Sequence, residues 1–257
     1  IYIDMLNNLV LGRYKENKTF IHNLNPVTKV ISLLLFVFII FINNKLLLSF
    51  FLLGFSLYLF YTLKVTVYEY LVNIKNISYF LISLLFINLI LKVSLYNSLV
   101  MIIEIILLIN YSSIFTLTTK PTDITYGLEY VLSPLKTLNV PVSKVSYSIS
   151  FALRFIPIIY EQTIKIMRSQ ASRGMDYYNS NIKGKIESLK TMIIPMFILS
   201  IKRADVLSDA LEVRNFNFNS RTYYSNNKMK RNDYLVIGGH ILLLVIIIGI
   251  EVFVWDI

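Results

Sequence analysis

Cysteine is missing from this 257-residue chain, which excludes disulfides, thiolate metal sites and cysteine nucleophiles. Histidine is scarce. His22 and His240 stand more than two hundred residues apart, too sparse a pair for a histidine-based metal site. Charge is thin as well: only 16% of residues are charged, against about a quarter in soluble domains. Catalytic motifs are absent too. There is no Gly-x-x-x-x-Gly-Lys-Ser/Thr phosphate loop, no His-Glu-x-x-His, and no convincing nucleophile–base set. The chain is therefore expected to be no enzyme, to hydrolyse no ATP and to need no cofactor.

Apolar residues are abundant, at 56%. With so little charge, that composition indicates a membrane protein. The net charge of +10 raises nucleic acid as a partner. The lysines and arginines flank long apolar runs, however, and retention at the inner face of a bilayer explains them better. No nucleic-acid partner is expected.

Five runs read as membrane spans: Val30 to Ile42, Leu46 to Leu63, Ile77 to Leu91, Ser98 to Leu117 and Tyr234 to Val254. Residues 1–29 are polar and basic and do not read as a signal peptide. Met5 is expected to be the native start, with Ile1 to Asp4 upstream of it. Placing the N-terminus inside puts 23 of the 25 basic residues in inside segments and leaves only Lys45 and Lys92 outside. The positive-inside rule thus predicts an internal N-terminus and an external C-terminus. The five-span count leaves out part of Val145 to Tyr160, which is itself apolar enough to lie in the membrane. Glu104, the acidic residue well inside a span, is expected to snorkel to the interface.

The stretch that organises the chain runs from Ser146 to Phe216. It reads as two helical arms, each with a proline near its start and an arginine at its far tip. The first passes through Phe151 to Pro157 and closes at Ala171-Ser172-Arg173-Gly174-Met175-Asp176. The second passes through Thr191 to Pro195 and closes at Leu211-Glu212-Val213-Arg214-Asn215-Phe216. Ahead of them, Lys120-Pro121-Thr122-Asp123 offers Thr122 or Asp123 as a helix N-cap, Ile124 to Leu132 makes a short amphipathic helix, and Val140 to Ser143 starts the first arm's helix. Val145, Ile149, Ala152, Ile156 and Ile159 then recur at spacings of three and four, giving that arm an apolar face. Gly174 fits a helix end, Asn179 to Asn181 a loop, and Asn215 a left-handed stop. A planar, permanently charged guanidinium with apolar neighbours suits insertion into a polar groove of a partner.

With these residues in view, the chain closely resembles the transmembrane T component (EcfT/CbiQ-like) of energy-coupling factor (ECF) transporters, a class of bacterial ABC-type micronutrient importers. The resemblance covers nearly the whole length. It is carried by Gly12-Arg13-Tyr14, by His22-Asn23-Leu24-Asn25-Pro26-Val27-Thr28-Lys29, and by Leu132-Ser133-Pro134-Leu135. Val140-Pro141-Val142, Ala152-Leu153-Arg154-Phe155-Ile156-Pro157 and the two arginine tips complete it. That family carries an Ala-Arg-Gly-like motif at the end of each of two long cytoplasmic coupling helices. Ser172-Arg173-Gly174 matches the first. Val213-Arg214-Asn215 matches the second in its arginine, with Val and Asn where the family usually has Ala and Gly.

The resemblance implies that Ser172, Arg173 and Gly174 dock on one ABC-type ATPase subunit, and Val213, Arg214 and Asn215 on a second. It also implies a separate small membrane-embedded substrate-binding subunit for a vitamin or transition-metal ion, so that the substrate is bound by another chain. The expected fold is all-α: a polytopic helical membrane protein with long cytoplasmic coupling helices. The expected division is 1–29 as an N-terminal cytoplasmic segment, 30–118 as a membrane domain, 119–233 as a coupling domain and 234–257 as the last transmembrane helix, all in the lipid bilayer of a bacterial plasma membrane. A self-contained secondary transporter would show ionisable groups at mid-membrane, where only Glu104 is on offer. A conventional ABC permease would present one coupling helix per chain, and a membrane enzyme would need a catalytic constellation.

Overall fold

The computed structural model describes residues 14, 17, 19–63, 67–175, 181–217 and 228–255. Ile1 to Arg13 with the expected start at Met5, residues 176–180 of the inter-arm loop and Asp176 itself lie outside the described residues. The described chain is helical: α1 (Pro26–Ile42), α2 (Leu46–Thr62), α3 (Val67–Ile90), α4 (Leu95–Thr118), α5 (Pro121–Val131), a 3₁₀ helix (Ser133–Leu138), α6 (Val142–Ser172), α7 (Ile182–Val213) and α8 (Arg231–Trp255). It forms two compact units. One holds α1 to α5 with α8, the other α6 with α7.

Local chemistry sets most of these boundaries. The Asn25 side chain accepts from the Val27 amide at 2.9 Å, and Pro26 fills the first helical position, so α1 begins where its sequence says it should. At its other end Asn43 is fully buried, and its side chain donates to Ser49 Oγ at 2.7 Å, pinning the short turn into α2. Ser94 caps α4 by accepting from the Asn97 amide at 3.3 Å. The cap expected at Thr122 or Asp123 is not used. Lys120 is the capping residue and makes no side-chain cap bond; Pro121 supplies the first turn, and Asp123 lies within that turn. The third apolar helix also starts ten residues before the expected Ile77, because no breaker separates Val67 from it.

In the first unit α1 is the hub, packed on α8, α5 and α4, while α2 and α3 pack on α4. The core is formed by Phe36, Ile39 and Ile40 of α1 against Leu52, Ile103, Leu107, Tyr111 and Ile247. A smaller cluster joins Phe60 and Leu63 to Ile114 and Leu117. Two polar links fix the direction of α8. Asp233 Oδ1 accepts from the Asn25 amide at 2.8 Å at one end, and Glu251 Oε1 accepts from the Asn44 amide at 3.1 Å at the other. α1 and α8 therefore run parallel. The outer faces carry Phe41, Leu47, Tyr61 and Ile90, all strongly exposed, as expected of helices solvated by lipid. Glu104 is only half-buried on α4.

Lys29, one residue ahead of the apolar run of α1, donates its ammonium to Thr118 O at 2.8 Å and His22 O at 3.2 Å. Burial lowers it to about 8, against the opposing pull of Asp123 and Asp233.

Among the described residues, three helices are long and apolar enough to cross a bilayer on their own: Leu95–Thr118, Val142–Ser172 and Arg231–Val252. Pro26–Ile42, Leu46–Thr62 and Ile77–Ile90 are shorter apolar helices. The first arm thus has the length and composition of a span as well as of an arm. In both arms the proline lies near mid-helix, not near the start: Pro157 within Val142–Ser172, and Pro195 within Ile182–Val213. The first arm's helix begins at Val142, within the expected Val140 to Ser143, so it is the place of the prolines within the helices that differs.

Gly127 is where α5 meets α1. A Cβ there would stand 2.8 Å from Val30 Cγ2 and 3.0 Å from the Pro26 carbonyl oxygen, so only glycine admits this approach. At Gly54 in α2 a Cβ would meet nothing within 4 Å. The two glycines should therefore respond in opposite directions to the same change. Gly54→Ala is expected to stabilise by roughly 0.5–1 kcal/mol through helix propensity. Gly127→Ala is expected to destabilise by about 1–3 kcal/mol through overpacking. Thermal unfolding of the two variants in detergent reads the sign, and a stabilised Gly127→Ala protein would contradict the close α1–α5 contact.

Candidate functional site: the two arginine tips

Both arms end in the same backbone device. In α6, Arg173 closes the helix at φ −90° and ψ 9°, and Gly174 then turns into the left-handed region at φ 87°. The Gly174 amide donates to Ala171 O at 3.0 Å and the Met175 amide to Gln170 O at 3.1 Å. In α7, Arg214 closes the helix at φ −85° and ψ 5°, followed by Asn215 at φ 49°. The Asn215 amide donates to Glu212 O at 2.9 Å and the Phe216 amide to Leu211 O at 3.0 Å. This is a Schellman stop in the same register twice, with arginine at the capping position each time. Asn tolerates the left-handed conformation better than other residues with a side chain, so Asn215 reproduces the turn that Gly174 makes. α3 ends on the same kind of stop, with Lys92 at φ 55°. The stop is thus a general helix end in this chain, and what distinguishes the arms is the arginine placed on it.

The exposure pattern repeats with the backbone. Ser172, Arg173 and Gly174 are exposed and Met175 half-buried; Val213, Arg214 and Asn215 are exposed and Phe216 half-buried. Ser172 Oγ donates back to Arg168 O at 3.0 Å, so its hydroxyl is engaged with its own helix.

The half-buried residue after each turn ties its tip to the other arm. Phe216 stacks on Tyr147 near the start of α6, with ring centroids 4.8 Å apart and planes 18° from parallel. Tyr147 meets Phe151 edge-on at 4.2 Å, and Phe151 leads to Phe155, giving an aromatic ladder at a spacing of four. At the other end Met175 Sδ accepts from Ser188 Oγ at 3.9 Å. Between them Thr163 Oγ1 donates to Met196 Sδ at 3.0 Å, and Gln162 faces the Arg203 guanidinium.

Pairing 147 with 216, 163 with 196 and 175 with 188 means that the arms run antiparallel. The tips therefore lie at opposite ends of one hairpin. Arg173 is level with about residue 190 of α7, so the two arginines are separated by roughly 36 Å along its axis at 1.5 Å per residue. Phe151 and Phe155 were visible in the sequence as part of the arm motif. Tyr147 was not singled out, although its i, i+4 relation to Phe151 was the available signal.

The predicted apolar face of α6 exists but is not packed. Val145, Ile149, Ala152 and Ile156 are exposed, as are Ile186, Leu189, Ile193 and Phe197 of α7. Of the two histidines, His22 Nδ1 bonds Thr19 Oγ1 at 2.7 Å, and His240 Nε2 bonds the Tyr111 hydroxyl at 2.7 Å. No cluster of three or more metal-ligating side chains occurs among the described residues.

The sequence profile of the family described as cobalt transport protein, CbiQ, matches residues 17–224, a stretch that contains both arms and both tips. This chain belongs to that family. It is also similar to the energy-coupling factor transporter transmembrane protein EcfT of Lactococcus lactis subsp. cremoris, with 32% identity over 95% of this chain and 98% of the relative. The EcfT proteins of Streptococcus equi subsp. equi and Bacillus subtilis are each 30% identical, over 96% and 93% of this chain and 97% of each relative. Asn215 makes the same left-handed turn at the second tip that Gly174 makes at the first.

The matched stops predict matched sensitivity. Asn215→Gly should alter stability by less than about 1 kcal/mol, because the left-handed turn is kept. Gly174→Val should cost at least about 1–2 kcal/mol, because a β-branched residue is forced into that region. Equilibrium unfolding of the two variants checks both, and a Gly174→Val protein as stable as wild type would show that the turn is not held.

Proposed function

We propose that this chain is the non-catalytic coupling subunit of an ECF-type ABC importer. In this reading two ABC-type ATPase subunits each receive one arginine tip: Ser172-Arg173-Gly174 enters a groove on one, and Val213-Arg214-Asn215 enters the equivalent groove on the other. Nucleotide-driven closure of the pair moves the tips. The α6–α7 hairpin passes that movement to a separate, small, membrane-embedded substrate-binding subunit, which carries a vitamin or a transition-metal ion as cargo.

The observation that carries this reading is the duplication. Two exposed arginines are presented on the same backbone stop, at opposite ends of one antiparallel hairpin, as two equivalent sockets on a paired ATPase would require. The EcfT names of the relatives agree with it. Each tip is tied back through Met175 or Phe216, so a push on an arginine is transmitted along the hairpin and does not simply fray a helix end. The exposed apolar stripes of both arms offer the membrane-embedded partner a face to pack against.

α6 is long and apolar enough to span, yet it carries Lys144, Arg154, Glu161, Lys165 and Arg168 along its length. Those charges favour a position at the inner interface of the plasma membrane. The parallel course of α1 and α8 goes with an internal N-terminus and an external C-terminus. A conventional permease, with a single coupling helix, gives no reason for a second matched tip.

Purification from the native membrane should recover two ATPase subunits and a small apolar protein with this chain. Arg173→Ala or Arg214→Ala should each weaken ATPase docking by about 2 kcal/mol or more, roughly thirtyfold, as expected for a central arginine anchor. ATP-dependent uptake should fall while the chain itself stays folded. Transport by this chain alone, or wild-type uptake in the double variant, would sink the mechanism.

A further inference from the structure

Where α6 and α7 pack on each other, their half-buried faces are mostly apolar, with Ile159 and Ile166 on one and Met192, Met196 and Leu199 on the other. One charged side chain interrupts them. Arg203 is half-buried, whereas every other lysine, arginine, aspartate and glutamate of the two arms is exposed among the described residues. Its partner is Gln162 of α6, which is also half-buried. With its amide oxygen turned to the guanidinium, Gln162 accepts from Arg203 Nη2 and, at 3.2 Å, from Nε. The acceptor is a neutral amide, and both donors converge on its single oxygen.

The pair occupies a particular place in the hairpin. A shift of 41 residues carries Arg173, Gly174 and Met175 onto Arg214, Asn215 and Phe216. It also relates the contact of Tyr147 with Phe216 to that of Ser188 with Met175. The arms are therefore related by an approximate twofold axis, across which each contact is made again by the counterpart residues. The same shift carries Gln162 onto Arg203. Only at the axis does a residue meet its own counterpart, so this bond lies there. Arg173 follows Gln162 by eleven residues and Arg214 follows Arg203 by eleven, which gives each arm a lever of about 16 Å. Neither lever contains a proline or an internal glycine. Pro157 and Pro195 lie behind the pair, on the side away from the tip of their own arm.

We propose that Gln162 and Arg203 are positioning residues for energy coupling, and that their bond is the fulcrum at which the levers of the two tips meet. This rests on the reading of the tips as ATPase docking points. An apolar seam alone fixes register weakly, and a polar pair placed within it specifies one alignment at a cost in stability. Sliding one arm past the other strands a half-buried guanidinium without its acceptor. Rotation about one shared oxygen keeps both donors engaged. The pair therefore resists sliding and permits pivoting. Because the levers are equal, a symmetric push on the two arginines displaces both tips alike, as a paired ATPase demands.

The chain has no cysteine, so Ser169→Cys with Ala210→Cys, an exposed pair related by the same shift, carries two spin labels. Distances are read by pulsed electron paramagnetic resonance on the full chain in nanodiscs. ATP-dependent uptake and ATP hydrolysis are read on the assembled transporter in vesicles. The unsubstituted pair should give one narrow distance distribution. Gln162→Leu combined with Arg203→Leu makes the seam wholly apolar and should leave the chain at least as thermostable as either single variant. Its distribution should nevertheless broaden at least twofold, and uptake per ATP hydrolysed should fall at least fivefold while the ATPase subunits still co-purify. Exchanging the two residues, Gln162→Arg with Arg203→Gln, should bring the width and the uptake ratio back to within twofold of wild type. A double leucine variant with the wild-type width and uptake ratio would overturn the proposal, as would an exchange variant no better than the double leucine one. A wild-type chain that recovers no ATPase pair would overturn the docking reading instead, and the distance widths would still decide whether the pair sets the register.

Discussion

The membrane unit depends on one buried carboxylate. Asp233 is 2% exposed and accepts two backbone amides, that of Asn25 at 2.8 Å and that of Lys230 at 2.7 Å. One side chain thereby satisfies the orphan amide ahead of α1 and an amide ahead of α8, and sets the two helices side by side and parallel. In lipid the apolar faces of helices gain little by meeting one another, so polar links of this kind decide register. The others follow the same logic. Lys29 ties α1 to the end of α4, Asn110 of α4 donates to Ser56 of α2 at 2.9 Å, and Lys45 reaches Ile250 O at 3.1 Å. Everything between these links is packing, and Gly127 sets how closely α5 can join it.

This accounts for the His22 to Lys29 motif without assigning it any chemistry. His22 supplies a carbonyl to Lys29, Asn25 caps the helix and donates to Asp233, Pro26 takes the first turn and Val27 fills the core. Residues that read as a family signature are here a structural knot at one edge of the membrane layer. Asp233, two hundred residues away, carried no sequence signal of its own, because a lone aspartate at a helix start reads as an ordinary first-turn charge.

Legibility in the sequence followed the range of the forces involved. Hydropathy placed the apolar helices, and the Asn-Pro start of α1 was visible because both residues act on their own backbone. The left-handed stops were legible for the same reason: Gly174 and Asn215 are local choices. What failed was also local, but depended on competition. Pro121 took the first turn of α5 and displaced the cap expected two residues later, and in both arms the proline expected near the start lies near the centre of its helix. The direction of one arm against the other was not legible at all. It is set by Tyr147 meeting Phe216 and Ser188 meeting Met175, contacts between residues far apart in sequence and unremarkable one at a time.

That direction alters what the arms can do mechanically. Two parallel prongs would move together, and pushing both would translate the pair. An antiparallel hairpin with an arginine at each end behaves as a lever loaded at both ends, and forces that bring the tips toward one another act across its centre. The mid-helix prolines lie there. A proline gives its helix no amide to donate, so the carbonyls of Leu153 and Thr191 lose their usual partners. Helices bend most readily at such positions. In the coupling role proposed for this chain, rigid ends held by the Schellman stops and their cross-arm contacts would concentrate deformation at Pro157 and Pro195. The exposed apolar stripes run past these same turns, through Ile156 and Ile193, so bending there would reshape the face offered to a membrane-embedded partner.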